Sequence, residues 1–152
     1  MNYVHRTFRF EAAHRLSKNL GRCANIHGHS YKVEVCLASD GLDENNMVVD
    51  FSLISAEVGE WIKQKWDHAL LLNSKDDYVV EFANTEGFKY YPFLKAEPTA
   101  EKMAEELYWQ LRNICSKWNE GLPKWRVLPK SVTVHETESC KAVYDGGESY
   151  GV

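Results

Sequence analysis

Histidines give this sequence its clearest chemical signal. His27, Gly28 and His29 form an H-x-H pattern at the start of a stretch in which apolar and polar residues alternate. Because successive side chains of a β-strand point to opposite faces, both imidazoles share a face, with Cβ atoms about 7 Å apart. His14 ends an earlier alternating stretch and shares a face with Phe10. If the two strands pair as a hairpin, the three imidazoles could hold a catalytic Zn²⁺ with an open fourth position; the alternative is ordinary hydrogen-bonded histidines.

Cys23 precedes the H-x-H pair by four residues, in a loop with Arg22. A nearby cation lowers the pKa of a thiol and makes the thiolate available as a base. Three roles stay open for Cys23 on these grounds: a proton-transfer base, a fourth zinc ligand or an inert thiol. We expect all four cysteines to be free thiols, because none forms a C-x-x-C pair and a chain this long does not need disulfides. The other three are interpreted as structural: Cys36, Cys115 and Cys140.

Two further groups could take part in chemistry. Asp67 and His68 follow a helical pattern, and an Asp can hold an imidazole and raise its basicity. The alternative for this pair is a polar cluster at a helix end. Glu136 shares strand parity with Val132 and Val134, which points its carboxylate toward the apolar face. A ligand with two parallel N–H groups would satisfy that carboxylate; the alternative is a strand end where alternation breaks down.

Alternation and four-residue spacing predict the elements that must position these groups. Strands are predicted at 8–14, 27–37, 47–51, 132–136 and 140–144, and helices at 53–66, capped by Ser52, and from Thr99 to Trp118. This order, β-β-(β)-α-α-β-β, predicts an α+β fold: an antiparallel sheet with two helices on one face. Such a sheet leaves edges open, so we expect a homo-oligomer. The aromatic stretch at about 74–97 is interpreted as an excursion between the helices.

Composition limits the classes of function. The chain has 152 residues, of which 44% are hydrophobic and 26% charged, and these values predict one globular domain spanning 1–152. The net charge of -4, without a basic stripe along the sequence, argues against nucleic acid or an anionic membrane as a partner. No stretch resembles a signal peptide or a membrane span, so we expect a cytoplasmic protein with a small-molecule substrate.

Six short motifs stand in a fixed order along the chain: Phe10-Glu11-Ala12-Ala13-His14-Arg15-Leu16, Cys23 with His27-Gly28-His29, Asp50-Phe51, Asp67-His68, Pro98-Thr99 and His135-Glu136-Thr137. Together they resemble the family of 6-pyruvoyl-tetrahydropterin and 6-carboxytetrahydropterin synthases. The Cys-x-x-x-His-Gly-His spacing is similar to that of the bacterial 6-carboxytetrahydropterin synthases. The segment from Ser74 to Glu97 is longer than in compact bacterial members. The resemblance implies the tunnelling fold (T-fold), in which β-β-α-α-β-β subunits associate into barrels, commonly as hexamers.

The resemblance also implies an activity. The enzyme would be a zinc-dependent lyase that converts 7,8-dihydroneopterin triphosphate to 6-carboxy-5,6,7,8-tetrahydropterin, with release of acetaldehyde and triphosphate, in queuosine (7-deazapurine) biosynthesis. Alternatives are a sister enzyme that stops at 6-pyruvoyl-tetrahydropterin and a non-catalytic zinc or pterin binding module. The family roles would fall on His14, His27 and His29 as Zn²⁺ ligands, Cys23 as base, Asp67 and His68 as a second proton relay, and Glu136 with nearby Thr137 as the pterin anchor.

The basic residues beside Cys23 add one expectation about the triphosphate. These residues are Arg15, Lys18 and Arg22. They could contact the triphosphate of the substrate; the alternative is that they form a solvated basic loop.

Overall fold

A long antiparallel hairpin forms the centre of the computed structural model, which describes residues 1–120 and 126–147. Strand β1 (Asn2–His14) pairs with β2 (His27–Ser39) along their whole lengths. In this register His14 lies opposite His27, and His29 lies opposite Ala12. The predicted hairpin is therefore confirmed, and its register brings the three histidines to one end of one face.

Four shorter strands complete a six-stranded sheet in the order β4-β3-β1-β2-β5-β6. Strands β1, β2, β5 and β6 are antiparallel, as predicted, whereas β3 and β4 add to the β1 side in parallel. The predicted α+β class is thus confirmed, but the sheet as a whole is mixed instead of antiparallel. The bounds of the four strands are β3 (Leu70–Asn73), β4 (Tyr90–Phe93), β5 (Leu128–His135) and β6 (Lys141–Tyr144).

The helical region after β2 begins earlier than predicted. Helix α1 (Phe51–Ile54) continues through a π-helical turn (Ser55–Gly59) into α2 (Glu60–Lys65). The strand predicted at 47–51 is wrong, because Phe51 already belongs to α1 and the residues before it form no strand. The N-cap is Asp50 and not Ser52: an Asp50 carboxylate oxygen accepts the Ser52 N–H at 2.7 Å, which satisfies a free donor of the first turn.

Two further helices follow, α3 (Asp77–Ala83) and α4 (Ala100–Trp118). Helix α4 begins where predicted, with the Thr99 hydroxyl accepting the Lys102 N–H at 3.3 Å. Its apolar stripe packs against the sheet face that carries Phe10 and Tyr31, and this is the buried core. The stretch at 74–97 contains α3 and β4. No helix in residues 1–120 and 126–147 is long and apolar enough to cross a membrane.

Alternation along the hairpin gives the sheet two different faces. Phe10, Ala12 and His14 are buried on the core face. Arg9 and Glu11 are exposed, because odd positions of β1 point the other way. We call this second side the outward face. Both faces carry residues of the candidate site.

Candidate functional site

The three histidines of the hairpin form a cluster at the end of the core face. One ring nitrogen from each lies within 4.8 Å of the other two: His14, His27 and His29, the histidine cluster. The shortest separation joins Nε2 of His14 to Nε2 of His27, at 3.1 Å. Two ligand nitrogens of a tetrahedral Zn²⁺ stand about 3.3 Å apart, from Zn–N bonds of about 2.0 to 2.1 Å. The cluster therefore has dimensions that a zinc ion fits.

The other nitrogens of these rings decide where the protons lie. Nδ1 of His14 is 2.8 Å from the Pro98 carbonyl oxygen, and Nδ1 of His27 is 2.8 Å from that of Asn25. A carbonyl oxygen only accepts, so each Nδ1 carries the proton and each Nε2 presents a lone pair. Two lone pairs facing each other at 3.1 Å repel unless a cation lies between them. Nε2 of His29 is buried and finds no hydrogen-bond partner among residues 1–120 and 126–147, so the donor set suits a metal ion.

Burial favours the neutral form of the His14 imidazole. The side chain of His14 is 2% exposed. Burial lowers the pKa of His14, and this outweighs the opposing influence of its hydrogen bond to Pro98. A neutral imidazole is the form that binds a metal ion.

Glu136 reaches the histidine cluster from the end of β5, as its strand parity predicts. Its Oε1 lies 3.3 Å from Nε2 of His14 and 3.6 Å from Nε2 of His29. Thr137 follows in the β5–β6 turn, where its hydroxyl accepts the Cys140 N–H at 3.1 Å. The Glu136 carboxylate is thus beside the histidine cluster, whereas the Thr137 hydroxyl stabilises the β5–β6 turn.

Asp67 and His68 lie at the end of α2 as a hydrogen-bonded pair. Oδ1 of Asp67 is 3.0 Å from Nδ1 of His68 and also accepts the Glu11 N–H at 3.0 Å. Burial would raise the pKa of Asp67, but these hydrogen bonds outweigh it and the pKa lies below its usual value. The His68 side chain is 77% exposed and its φ is +57°, a left-handed conformation that directs the ring away from the helix. Asp67 therefore orients an accessible imidazole.

The His68 imidazole borders a cleft on the outward face of the sheet. This cleft, of about 640 Å³, is also lined by Glu11 and Ser30, whose side chains are hydrogen-bonded at 2.7 Å. His29 borders the cleft too, but its Nε2 is buried and lies 3.6 Å from Glu136. Within one chain, the sheet therefore separates the His68 imidazole from the metal-binding nitrogens.

Comparisons with known proteins identify the family of this chain. The family model described as 6-pyruvoyl tetrahydropterin synthase matches residues 3–147. The chain belongs to the 6-pyruvoyl tetrahydropterin synthase family. It is 37% identical to the 6-carboxy-5,6,7,8-tetrahydropterin synthase of Rickettsia bellii and 32% identical to that of Rickettsia conorii, in each case over 140 residues that make up 89% of this chain and 94% of the relative.

Solved structures show the same fold. The 6-pyruvoyl tetrahydropterin synthase of Plasmodium vivax superposes with a TM-score of 0.68 at 21% identity, covering 95% of this chain and 98% of that one. The T-fold architecture expected of a tetrahydropterin synthase is thus confirmed for the single chain. The enzymes of this family are lyase-type and act on pterins. A pterin is therefore the class of substrate to consider for the histidine cluster and Glu136.

Cys23 of this synthase-family chain lies in the loop between the two histidine strands and outside the histidine cluster. Cys23 lies in a short 3-10 helix (Arg22–Ala24), half-buried, and its carbonyl accepts the Leu16 N–H at 2.9 Å. Among the described residues, its sulfur does not belong to the group of converging ligand atoms. Arg15 in the same loop pairs with Asp76 at 3.2 Å, so its guanidinium is already engaged.

One residue outside all the sequence motifs supports the cluster. The Glu97 carboxylate accepts the Ser17 N–H at 2.6 Å, the Ser17 hydroxyl at 2.8 Å and the Asn73 amide at 2.7 Å. Burial would raise the pKa of Glu97, but these hydrogen bonds outweigh it and the pKa is lowered. The next residue, Pro98, supplies the carbonyl that orients His14. Glu97 thus fixes both that carbonyl and the chain leaving β1.

Replacing Glu97 with glutamine is expected to weaken zinc binding. The variant loses the charge and one acceptor, so the Pro98 carbonyl is held less firmly against His14. Groups that orient metal ligands are typically worth about 10- to 100-fold in metal affinity, and a loss in this range is expected. Competition with a chromophoric chelator measures it, with Glu120→Gln as the matched control on an exposed carboxylate. Equal zinc affinities for the two variants would show that Glu97 does not stabilise the metal ligands.

Proposed function

We propose that this protein is a zinc-dependent 6-carboxy-5,6,7,8-tetrahydropterin synthase, which acts on 7,8-dihydroneopterin triphosphate and one water molecule and releases acetaldehyde and triphosphate. The observation that carries the proposal is the convergence of three imidazole Nε2 atoms beside the Glu136 carboxylate. Two relatives from Rickettsia are 6-carboxy-5,6,7,8-tetrahydropterin synthases by name, which supports the carboxy product. Such a product would serve queuosine biosynthesis. Identification of the pterin product and of released acetaldehyde tests the proposal.

Each role follows from the local chemistry. His14, His27 and His29 would hold Zn²⁺, and the bound ion would supply Lewis-acid polarisation of the side-chain oxygens of the substrate, which would acidify the adjacent C–H bonds. Cys23 would take a proton from such a carbon.

The remaining groups bind the substrate and move the second proton. His68, held through Nδ1 by Asp67, keeps Nε2 free to exchange a proton with solvent or substrate. The Glu136 carboxylate would accept two N–H donors from the guanidine-like edge of the pterin, with Thr137 nearby.

A complete site would need two copies of the chain. The metal-binding nitrogens and Glu136 lie on the core side of the sheet, whereas the exposed His68 imidazole borders the outward cleft. One small substrate cannot touch both sides of the same sheet. We therefore propose a homo-oligomer in which one copy supplies the cluster, Cys23 and Glu136, and its neighbour supplies His68.

Subunit mixing provides a test of the shared site. Cys23→Ala and His68→Ala are each expected to be nearly inactive. In oligomers assembled at random from equal amounts of the two variants, about a quarter of the sites combine an intact Cys23 with an intact His68 from a neighbour. Co-expression with two different tags should therefore restore about a quarter of the wild-type rate. No restoration, or light scattering that gives a monomer of 17.5 kDa, would contradict the shared site.

A further inference from the structure

A line of basic residues crosses the outward face of the sheet. The strand register sets Arg9 of β1 opposite Lys32 of β2, Lys32 opposite His135 of β5, and His135 opposite Lys141 of β6. Residues that lie directly opposite on neighbouring strands point to the same face. The four side chains therefore form one row, which we call the cation row: Arg9, Lys32, His135 and Lys141.

Within the described residues, the cation row has no direct ion pair, and the nearest acidic influence on His135 is the charge of Glu34. Within residues 1–120 and 126–147, no carboxylate forms an ion pair within 4.0 Å of Arg9, Lys32 or Lys141. Burial, followed by the positive charges of Lys32 and Lys141, lowers the pKa of His135. Like charges placed directly opposite one another destabilise a sheet. An anion bound to the row would remove this repulsion.

A pocket of about 270 Å³ lies over the row. Arg9, Lys32 and His135 line it together with Thr137, which adds a hydroxyl group, with Ser30, whose hydroxyl donates to the Glu11 carboxylate at 2.7 Å, and with one carboxylate, that of Glu138. A guanidinium fork, an ammonium group and hydroxyl groups are the donors that bind phosphate oxygens. The pocket thus offers several phosphate-binding groups against a single acidic one.

The pocket continues into the cleft that contains His68. Ser30 lines both, and it lies two residues before Lys32 on the same face of β2, about 7 Å away. A ligand whose reacting carbons lie near His68 could therefore extend an anionic tail of a few atoms over Ser30 to Lys32. Of the three basic residues beside Cys23, Arg15 already pairs with Asp76, whereas Lys18 and Arg22 are the competing triphosphate contacts.

We propose that the cation row binds the triphosphate of the substrate, in the copy of the chain that supplies His68; this inference rests on the proposed function. The pterin and the metal would then contact one copy, and the triphosphate would contact its neighbour. Release of triphosphate would leave the same row holding the inorganic anion until it dissociates.

Inorganic triphosphate is the probe for the test. Isothermal titration of the purified oligomer should show binding that weakens at least 10-fold in Lys32→Gln, and to a similar degree in Arg9→Gln on a neighbouring strand. Lys117→Gln, an exposed lysine of α4, is the matched control and should bind as the wild type. Triphosphate should also raise the melting temperature of the wild type more than that of Lys32→Gln. With 7,8-dihydroneopterin triphosphate, Lys32→Gln should raise KM more than it lowers kcat.

The outcomes separate this inference from the proposed function. If the wild type forms the pterin product while Lys32→Gln and Arg9→Gln keep its KM and its triphosphate affinity, the row is not the triphosphate site and the function stands. If triphosphate binds through the row but no pterin product forms, the binding site stands and the proposed function fails. Equal loss of binding in Lys117→Gln, or equal affinity for inorganic sulfate, would show a nonspecific charge effect and overturn the inference.

Discussion

Replacing Cys23 with alanine is expected to leave the zinc content unchanged and to lower turnover by about 10²- to 10⁴-fold, the usual worth of a positioned acid–base group. The physical reason is its position. The sulfur lies outside the group of converging nitrogens, while the loop that carries Cys23 is held to the chain leaving β1 through Leu16. The variant removes a group that acts on the reacting carbon and leaves the metal ligands in place.

Metal analysis and steady-state kinetics on the same preparation measure this effect. Cys140→Ala, at an exposed cysteine, is the matched control and should keep both zinc and rate. Glu136→Ala should differ from Cys23→Ala, because its hydrogen bonds to the pterin form already in the ground-state complex and KM rises as turnover falls. If zinc and activity disappear together in Cys23→Ala, the thiolate is a metal ligand and the role as base is wrong.

Replacing His29 with alanine is expected to remove most of the zinc and with it the activity. The wild type should contain one zinc per subunit. The variant leaves two imidazoles and an open position where a buried Nε2 pointed toward Glu136, so the remaining ligands bind the ion far more weakly. Elemental analysis after dialysis against a weak chelator measures the loss.

His5→Ala is the control for this experiment. His5 lies on β1 of the same hairpin, exposed, and its ring contacts Glu34 at 3.2 Å, away from the histidine cluster. The His5→Ala variant should retain one zinc per subunit. Full zinc retention in His29→Ala, with an unchanged circular dichroism spectrum, would refute the three-histidine site.

The sequence predicts those parts of the site that depend on local periodicity. Alternation along the two strands fixes which side chains share a face, and a one-residue shift of register would move every side chain of a strand to the other face. The approach of His14 to His27 and His29 follows from this pattern. The same parity on β5 brings Glu136 to the cluster.

Other parts of the structure have no periodic signal. Leu70, Leu71 and Leu72 are buried in succession in β3, so no alternation marks the strand, and its parallel partner β4 pairs across a 16-residue gap that contains a helix. The carbonyl of Pro98 meets His14 across 84 residues. Contacts at this separation depend on the complete sheet, which explains why the role of Glu97 is visible only in the structure.

The position of His68 illustrates the same limit. Adjacent Asp67 and His68 suggest a proton relay, but the pair gives no indication of which face of the sheet it serves. That depends on the left-handed backbone at His68 and on the hydrogen bond from its N–H to the Glu11 carbonyl, at 2.6 Å. The proposal that a second copy of the chain completes the site rests on this geometry and not on the motif.

Mass spectrometry of the product formed from 7,8-dihydroneopterin triphosphate tests the proposed function most directly. The purified, zinc-loaded protein is expected to yield 6-carboxy-5,6,7,8-tetrahydropterin, with one acetaldehyde and one triphosphate released for each pterin formed. Accumulation of 6-pyruvoyl-tetrahydropterin with triphosphate but without acetaldehyde would instead identify the sister activity. Unchanged substrate in the presence of bound zinc would contradict catalysis altogether and leave a binding module.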